Sequence, residues 1–204
     1  RDEASRRDPM VFPCNAANLA ILDEPDLASL RIGVTADLGG VLVSQAVRDE
    51  FARRCDVFAD LAGHFSPCDV DLTAAPQVDW YLRQELFAAS YAREAQHWGP
   101  QVNPNVRATY EAAIATPMQD IAGAKQTQLQ LIRRMAASLD EFDVVVAPGV
   151  SIPPFSWQQL NPRRIDGKPV KNYMAWLELT AALTVVGHPV VALPCGLDAQ
   201  GTPF

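Results

Sequence analysis

The stretch Phe142-Asp-Val-Val-Val-Ala147 is a continuous apolar run of strand length, and Pro148 ends it. A run of this kind predicts a strand that is covered on both faces. Residues 117–139, just before it, carry apolar side chains at three- and four-residue steps, which predicts a helix of roughly six turns. A long helix that leads into a buried strand indicates an α/β domain.

Outward from this stretch, the sequence predicts further strands and helices. Apolar residues alternate over 30–34, which is typical of a strand, and helical spacing follows over 44–62. Ser44 is the expected N-cap of that helix, and Gly63 is expected to end it in the left-handed conformation. Asn103 before Pro104 predicts another helix start.

The C-terminal part of the chain alternates loop, helix and strand. Residues 148–169 hold five prolines, so we expect a long ordered loop of the kind that often carries binding residues. A helix over 172–185 and a last buried strand over 189–194 follow. The predicted fold class is therefore α/β.

The domain organisation follows from length and from the proline pattern. Residues 1–29 contain three prolines and no sustained apolar period, which predicts an extended lead-in. Residues 30–204 are then expected to form one domain, since 204 residues with 49% hydrophobic content suffice for one sizeable core.

Charge and hydropathy exclude two classes of partner. A net charge of −7 with only three lysines lacks the concentrated basic surface that nucleic acid requires. No apolar run approaches the roughly 20 residues of a membrane span. We therefore expect a cytoplasmic protein that binds neither nucleic acid nor membrane.

Cysteine and histidine spacing predicts no metal site. The four cysteines show no C-x-x-C spacing, and the three histidines stand far apart in the sequence. A domain of this length does not need disulfides in order to fold, so the thiols are expected to be reduced. The sequence indicates no cofactor.

The segment Thr184-Val-Val-Gly187-His-Pro189-Val-Val-Ala-Leu-Pro194-Cys-Gly196 and the turn Gly201-Thr-Pro203 closely resemble the C-terminal hallmark of the amidase-signature family. The Phe142 to Pro148 run resembles the family's strand that ends in a proline at the rim of the active site. Arg163 to Pro169 is similar to one broad branch of family amidases, and Leu30 to Val34 resembles the segment that follows the catalytic half. The resemblance covers residues 30–204, the C-terminal portion of such a domain, and it implies part of the amidase-signature fold, a mixed sheet covered by helices.

The resemblance implies an amidohydrolase that hydrolyses an amide C–N bond with a serine nucleophile, a bridging serine and a lysine. None of these catalytic residues is recognisable here: the chain has no Ser-Ser pair, its only Gly-Gly is followed by Val41, and its first lysine is Lys125 in the long helix. We therefore expect a fragment, without catalytic residues and inert alone. Because a cut through one continuous core exposes apolar surface, we also expect dye binding, local disorder or a homodimer.

The resemblance further implies that Met174, Leu177 and Ala181, which share one face of the 172–185 helix, border the acyl side of a pocket for a small-molecule amide. In relatives that release ammonia from glutamine, an acidic residue is expected where this chain has Leu177. An apolar side chain there cannot pair an ammonium group. Leu177 therefore disfavours an amidotransferase A-subunit-like protein, which stays one alternative. A non-enzymatic α/β interaction module is another.

Overall fold

The computed structural model of the chain describes residues 26–204. The lead-in predicted for residues 1–29 lies almost entirely outside the described residues. The first element of the described residues is a short 3₁₀ helix, Leu27–Ser29, whose N-cap Asp26 accepts a hydrogen bond from the backbone N–H of Ala28.

The main sheet has three parallel strands: β1 (Arg31–Val34), β2 (His64–Pro67) and β3 (Val144–Val146). Strand β1 lies in the centre, in the order β2-β1-β3. Asp143 fixes the register of β3, because its carboxylate accepts from the backbone N–H of Arg31 at 2.9 Å and from the Arg31 guanidinium at 2.7 Å. The strands predicted at 30–34 and 142–147 are therefore confirmed, although both are shorter than the apolar runs.

Five α-helices surround this sheet in the described residues: α1 (Gln45–Leu61), α2 (Ala75–Tyr91), α3 (Pro104–Ala115), α4 (Met118–Glu141) and α5 (Glu178–Val186). Two further 3₁₀ helices are Glu94–His97 and Tyr173–Leu177. The helices predicted at 44–62 and 117–139 are confirmed. The helix predicted at 172–185 is wrong in its first turn and a half, which is 3₁₀, because Asn172 caps the backbone N–H of Met174 and a separate α-helix begins at Glu178.

Two helix starts are capped by the residues that the sequence predicts, whereas one helix end differs from its prediction. Ser44 accepts a hydrogen bond from the backbone N–H of Val47 at 3.4 Å, and Asn103 accepts from Asn105 at 2.9 Å. The left-handed ending predicted at Gly63 is wrong, because α1 ends at Leu61 and its C-cap, Ala62, has an extended conformation. Glycine is required at 63 for a different reason: a Cβ there would lie 1.7 Å from the carbonyl oxygen of Ala28.

The loop between residues 148 and 172 contains a small antiparallel hairpin of β4 (Arg164–Ile165) and β5 (Lys168–Pro169). Asp166 and Gly167 form its two-residue turn with φ of 49° and 75°, the left-handed values that such hairpin turns require. Asp166 also accepts a hydrogen bond from the backbone N–H of Gln45 at 2.9 Å, which attaches the hairpin to the start of α1.

One hydrophobic core joins the sheet to α1, α2, α4 and α5. Its fully buried leucines come from four different parts of the chain: Leu38, Leu72, Leu131 and Leu179. Helix α2 packs against α3, α4 and α5. The sequence did not predict α2 because its start at Ala75 has no side-chain cap, and β2 was missed because His-Phe-Ser-Pro lacks β-branched residues.

The predicted last strand over 189–194 is wrong. These residues have no regular secondary structure, and Val190, Val191 and Leu193 are 60%, 78% and 65% exposed. A strand requires a neighbour for its backbone groups. Among residues 26–204 no strand pairs with this segment, and only a single bridge, Leu197 to Pro203, forms beyond it. We call Val190–Leu193 the exposed apolar segment.

Candidate functional site

The carboxyl ends of β1 and β3 lie at the same edge of the sheet because the strands are parallel. The loop 35–40 leaves β1 there, and the loop 147–155 leaves β3. In open α/β sheets, ligands bind outside the carboxyl ends of the strands. This carboxyl edge is therefore the candidate functional site.

The loop after β1 is held in an uncommon backbone conformation. Leu38, Gly39 and Gly40 have φ of 54°, 87° and 118°, and Leu38 is the only one that is not glycine. A non-glycine residue in this region costs about 1–3 kcal/mol and persists when its surroundings fix it. Here the Leu38 side chain is fully buried and its N–H donates to Thr35 Oγ1 at 3.0 Å.

Asp37 closes the same loop. One carboxylate oxygen accepts from the backbone N–H groups of Gly39 at 3.1 Å and Gly40 at 2.9 Å, and the other pairs with Arg48 on α1. The Arg48 side chain also donates to the carbonyl of Val43 at 3.1 Å. The two residues thereby fix the path from β1 into α1.

Ser151 joins three elements at the carboxyl edge. It is 2% exposed, its carbonyl accepts from the backbone N–H of Ser44 at 2.7 Å, and its hydroxyl accepts from that of Leu179 at 3.2 Å. The loop that leaves β3 is therefore attached to the starts of α1 and α5. Sequence analysis did not single out Ser151, since one serine in a proline-rich loop gives no pattern.

Glu178 places a half-buried carboxylate at the start of α5. Burial raises the pKa of Glu178, while the nearby charge of Lys171 and the backbone N–H of Leu42 act to lower it. The carboxylate thus lies between the start of α5 and the segment that leads into α1. Sequence analysis did not select this residue, although it directly follows Leu177.

The three residues expected to border a pocket are placed on two successive segments. Met174 and Leu177 belong to the 3₁₀ helix and are half-buried, whereas Ala181 belongs to α5 and is 5% exposed. The change of helix type at Glu178 means that the three do not form one face of a continuous α-helix. Met174 and Leu177 retain accessible surface, and Ala181 contributes little.

Three aromatic side chains pack together, and two of them belong to the 3₁₀ helix Tyr173–Leu177. Phe155 and Trp176 meet edge to face with ring centroids 5.3 Å apart, and Tyr173 meets Trp176 in the same way at 6.1 Å. Trp157, two residues after Phe155, does not join this group, since its side chain is 90% exposed.

Other chemically active groups lie elsewhere. Lys125 forms an ion pair with Glu85 at 2.8 Å and its side chain is 52% exposed, so it is a solvated helical lysine. Cys55, Cys68 and Cys195 are free thiols, and burial raises the pKa of both Cys55 and Cys68. Within residues 26–204 there is no group of three potential metal ligands, and no helix there is long and apolar enough to cross a membrane.

The C-terminal turn is attached to α1 by a buried carboxylate. Glu50 is 4% exposed and accepts from the guanidinium groups of Arg53 and Arg54. Arg54 in turn donates to the carbonyl of Leu197. Gly196, with φ of 99°, lets the chain pass close to Arg54, since an added Cβ would lie 3.3 Å from its guanidinium. Glu50 thus holds the segment that follows the exposed apolar segment.

Several solved protein structures resemble this chain in fold. A bacterial aryl acylamidase of the amidase-signature family matches with a TM-score of 0.72 and 20% identity, over 87% of this chain and 39% of that chain. A protein from a vestigial complex that reveals the origins of an s-triazine catabolic enzyme, solved with an inhibitor, matches at 0.72 and 17%, over 96% and 43%. A third structure, described as an amidase, matches at 0.66 and 19%, over 86% and 40%.

These likenesses show that the chain has the amidase-signature fold. The Amidase family model matches residues 1–204, so the chain belongs to the Amidase family. The family resemblance inferred from the sequence is confirmed. A search of curated proteins finds no match. The chain spans about two fifths of the length of the solved structures that it matches.

Proposed function

We propose that this chain supplies part of the substrate site of an amidohydrolase that acts on a small-molecule amide. The observation that carries this proposal is the Amidase family match over residues 1–204. The carboxyl edge supports it, because its loops are fixed by hydrogen bonds to Ser151 and Asp37. The aryl acylamidase among the structural matches is described as an enzyme of the same signature family.

In this proposal the chemistry belongs to a Ser-Ser-Lys system carried by a longer protein. A neutral lysine accepts a proton through the bridging serine, and the nucleophilic serine attacks the amide carbonyl. The C–N bond then breaks as the amine leaves with a proton, and water releases the acid from the acyl-enzyme. Backbone N–H groups stabilise the oxyanion.

The residues of this chain would orient the substrate and exclude water. Met174 and Leu177 offer half-buried apolar surface for the acyl group. Leu177 counts against a glutamine amidotransferase, since an apolar side chain cannot pair the substrate's ammonium group. Lys125 is unsuited to act as the base because it lies 52% exposed on a helix and forms an ion pair with Glu85.

The exposed apolar segment supports the view that the chain works with further polypeptide. The segment has the apolar composition of a buried strand. Its Val191 is nevertheless 78% exposed, and no strand in residues 26–204 pairs with it. The matched structures are more than twice as long as the part that this chain covers. We infer that catalysis requires groups which this chain does not contain.

Amide hydrolysis measured side by side tests the proposal. The purified 204-residue chain is expected to be inert toward simple amides. A longer protein that adds an upstream lysine and Ser-Ser segment is expected to hydrolyse them, and substituting its nucleophile should abolish turnover. Sustained turnover by the 204-residue chain would contradict the assignment of catalysis to absent groups, and no turnover by the longer protein would favour a binding module.

A further inference from the structure

The β4–β5 hairpin concentrates positive charge in a chain whose formal net charge is −7. Two of the three lysines in the whole chain stand within positions 163–171, together with two arginines. All four basic residues are exposed: Arg163, Arg164, Lys168 and Lys171. The backbone N–H of Val170 donates to the carbonyl of Arg163 at 3.0 Å, which continues the pairing of the two strands. The four cations therefore lie on one small unit, residues 163–171, which we call the basic hairpin.

Nearby acidic residues leave most of this positive charge unopposed. The carboxylate of Asp166, in the hairpin turn, accepts from the backbone N–H of Gln45 at the start of α1, where the helix end favours an anion. Glu178 is opposed by Lys171, whose charge acts to lower the pKa of that carboxyl. Among the described residues, no ion pair involves the other three cations, Arg163, Arg164 and Lys168.

Two large apolar side chains are exposed in the loop that leads into the basic hairpin. Trp157 is 90% exposed and Leu160 is 64% exposed. Trp157 is the second residue of a turn in which the backbone N–H of Gln159 donates to the carbonyl of Ser156 at 2.9 Å. An extended chain spans at most about 3.6 Å per residue, so the Cα atoms of Leu160 and Arg163 lie within about 11 Å of each other. Exposed apolar groups and exposed cations are thus neighbours on this surface.

The loop and the basic hairpin are anchored to the rest of the domain. Phe155, at the start of the loop, packs edge to face on Trp176 with ring centroids 5.3 Å apart. Ile165 in the hairpin is 5% exposed, and Asp166 is attached to the start of α1. A partner therefore meets a preformed surface, which costs little conformational entropy on binding.

The chemistry of this surface fits an anionic lipid bilayer better than a protein. A bilayer offers anionic headgroups to lysine and arginine, and an interfacial layer in which tryptophan is enriched. Two apolar side chains and one short hairpin are far smaller than the roughly 20–30 residues a side of a stable protein interface. By contrast, each lysine or arginine close to an anionic bilayer strengthens binding about fivefold. A small basic and apolar surface is therefore sufficient for a lipid partner.

Local charge, rather than the net charge of the chain, decides whether this surface binds. Attraction between exposed charges is largely screened beyond about 8–10 Å at physiological salt. The basic hairpin therefore acts on a surface that it touches, and acidic residues elsewhere on the chain oppose it little. The sequence predicts no membrane partner from a net charge of −7, which averages over this hairpin.

We propose that Trp157, Leu160 and the basic hairpin form a peripheral docking surface for an anionic lipid bilayer. The cations bind headgroup phosphates and carboxylates, while Trp157 and Leu160 enter the interfacial layer. The loop 147–155 leads directly into this surface, so docking holds the carboxyl edge beside the bilayer. The inference does not rest on the proposed function.

Vesicle flotation of the 204-residue chain tests the proposal directly. One set of vesicles contains phosphatidylcholine alone, and the other contains about 30% phosphatidylserine, which gives the anionic surface of a cytoplasmic leaflet. The chain is expected to float with the anionic vesicles and to bind the neutral ones at least about tenfold more weakly. Raising the salt from about 0.05 M to about 0.5 M should weaken binding to the anionic vesicles about tenfold or more, because salt screens the cations.

Charge variants locate the binding surface. The double variant Arg163→Gln, Lys168→Gln should weaken binding to anionic vesicles about 25-fold, at about fivefold for each cation. Arg164 is left in place because it donates to the carbonyl of Gly167 at 2.6 Å within the turn. The matched control is Arg93→Gln, Arg133→Gln, which removes two exposed cations elsewhere and should leave binding unchanged.

An apolar variant tests the loop in the same assay. Trp157→Ala should weaken binding about three- to tenfold, because interfacial binding scales with the apolar area that enters the bilayer. Met118→Ala, at a side chain 76% exposed on α4, is the control and should leave binding unchanged. Thermal melts confirm that each variant folds. If a variant does not fold, the salt dependence and the preference of the unmodified chain for anionic vesicles decide.

Three results would overturn the inference. Equal binding to neutral and anionic vesicles would assign the attraction to the exposed apolar segment instead. Equal losses in the basic hairpin variant and in its control would assign it to the charge of the chain as a whole. Binding to immobilised polyglutamate without binding to anionic vesicles would make the partner an acidic polypeptide. The assay requires no turnover, so its outcome is independent of the test for amide hydrolysis.

Discussion

Two valine-rich runs, each bounded by prolines on at least one side, differ in structure: one forms a paired strand and the other is exposed and unpaired in the described residues. Val144–Val146 forms β3, pairs with β1 and follows the buried Phe142. Val190 and Val191 belong to the exposed apolar segment and pair with no strand in residues 26–204. Apolar composition shows that a segment is suited to burial, but a neighbour distant in the sequence must supply the partner. For β3 that neighbour is 112 residues away, where Asp143 meets Arg31.

The largest expected difference between the two runs is in stability. Phe142→Ala should lower the free energy of unfolding by about 3–5 kcal/mol, because it removes a buried ring and leaves a cavity. Leu193→Ala, at a side chain 65% exposed, should change it by less than about 0.5 kcal/mol. Urea unfolding followed by circular dichroism measures both. A large loss at Leu193 would mean that the exposed apolar segment is buried in solution.

Close packing around β1 gives the second prediction. A Cβ at Gly33 would lie 2.7 Å from the ring of Phe142 and 2.9 Å from Cys68 Cβ. Gly33→Ala should therefore destabilise the chain by about 1–3 kcal/mol. Gly123→Ala is the control, since nothing lies within 4 Å of an added Cβ there, and it should stabilise α4 by about 0.5–1 kcal/mol. The same unfolding curves would contradict the packing if the two variants behaved alike.

Surface chemistry of the exposed apolar segment gives the third prediction. The apolar surface on which this prediction rests lies at Val190–Leu193. Val191→Lys should roughly halve the binding of a hydrophobic dye and reduce any self-association in sedimentation. Val57→Lys, at a valine 58% exposed on α1, is the matched control and should change neither. A dye-silent monomer would remove the argument for additional polypeptide.

The smallest effect is expected at the start of β3. The hydrogen bonds from Arg31 lower the pKa of Asp143 to about 2. A lowered folded-state pKa stabilises the fold above the ordinary carboxyl pKa of 3.8, and this contribution is lost as the pH falls through about 2. Asp143→Asn should thus lower the Tm by about 2 °C or less at pH 6, since the pair is solvent-exposed, and by clearly less at pH 2. An equal deficit at both pH values would assign the effect to packing.

Local patterns in the sequence predicted much of the fold. Helical spacing gave the positions of α1 and α4, and short apolar runs gave β1 and β3. They did not predict α2, whose start lacks a side-chain cap. Of the candidate site, Met174 and Leu177 have the expected accessible surface, but their role in binding remains a proposal. Ser151 and Glu178 were not selected as site residues, since their positions depend on contacts between segments that are distant in the sequence.

The sequence by itself determined the α/β class and the family, because these depend on residue types and on spacing along the chain. Tertiary structure decided which apolar runs became strands and which residues met at the carboxyl edge. The physical reason is that strand pairing and side-chain packing are non-local. A valine run is buried as a strand only where a second strand, such as β1 for β3, accepts its hydrogen bonds.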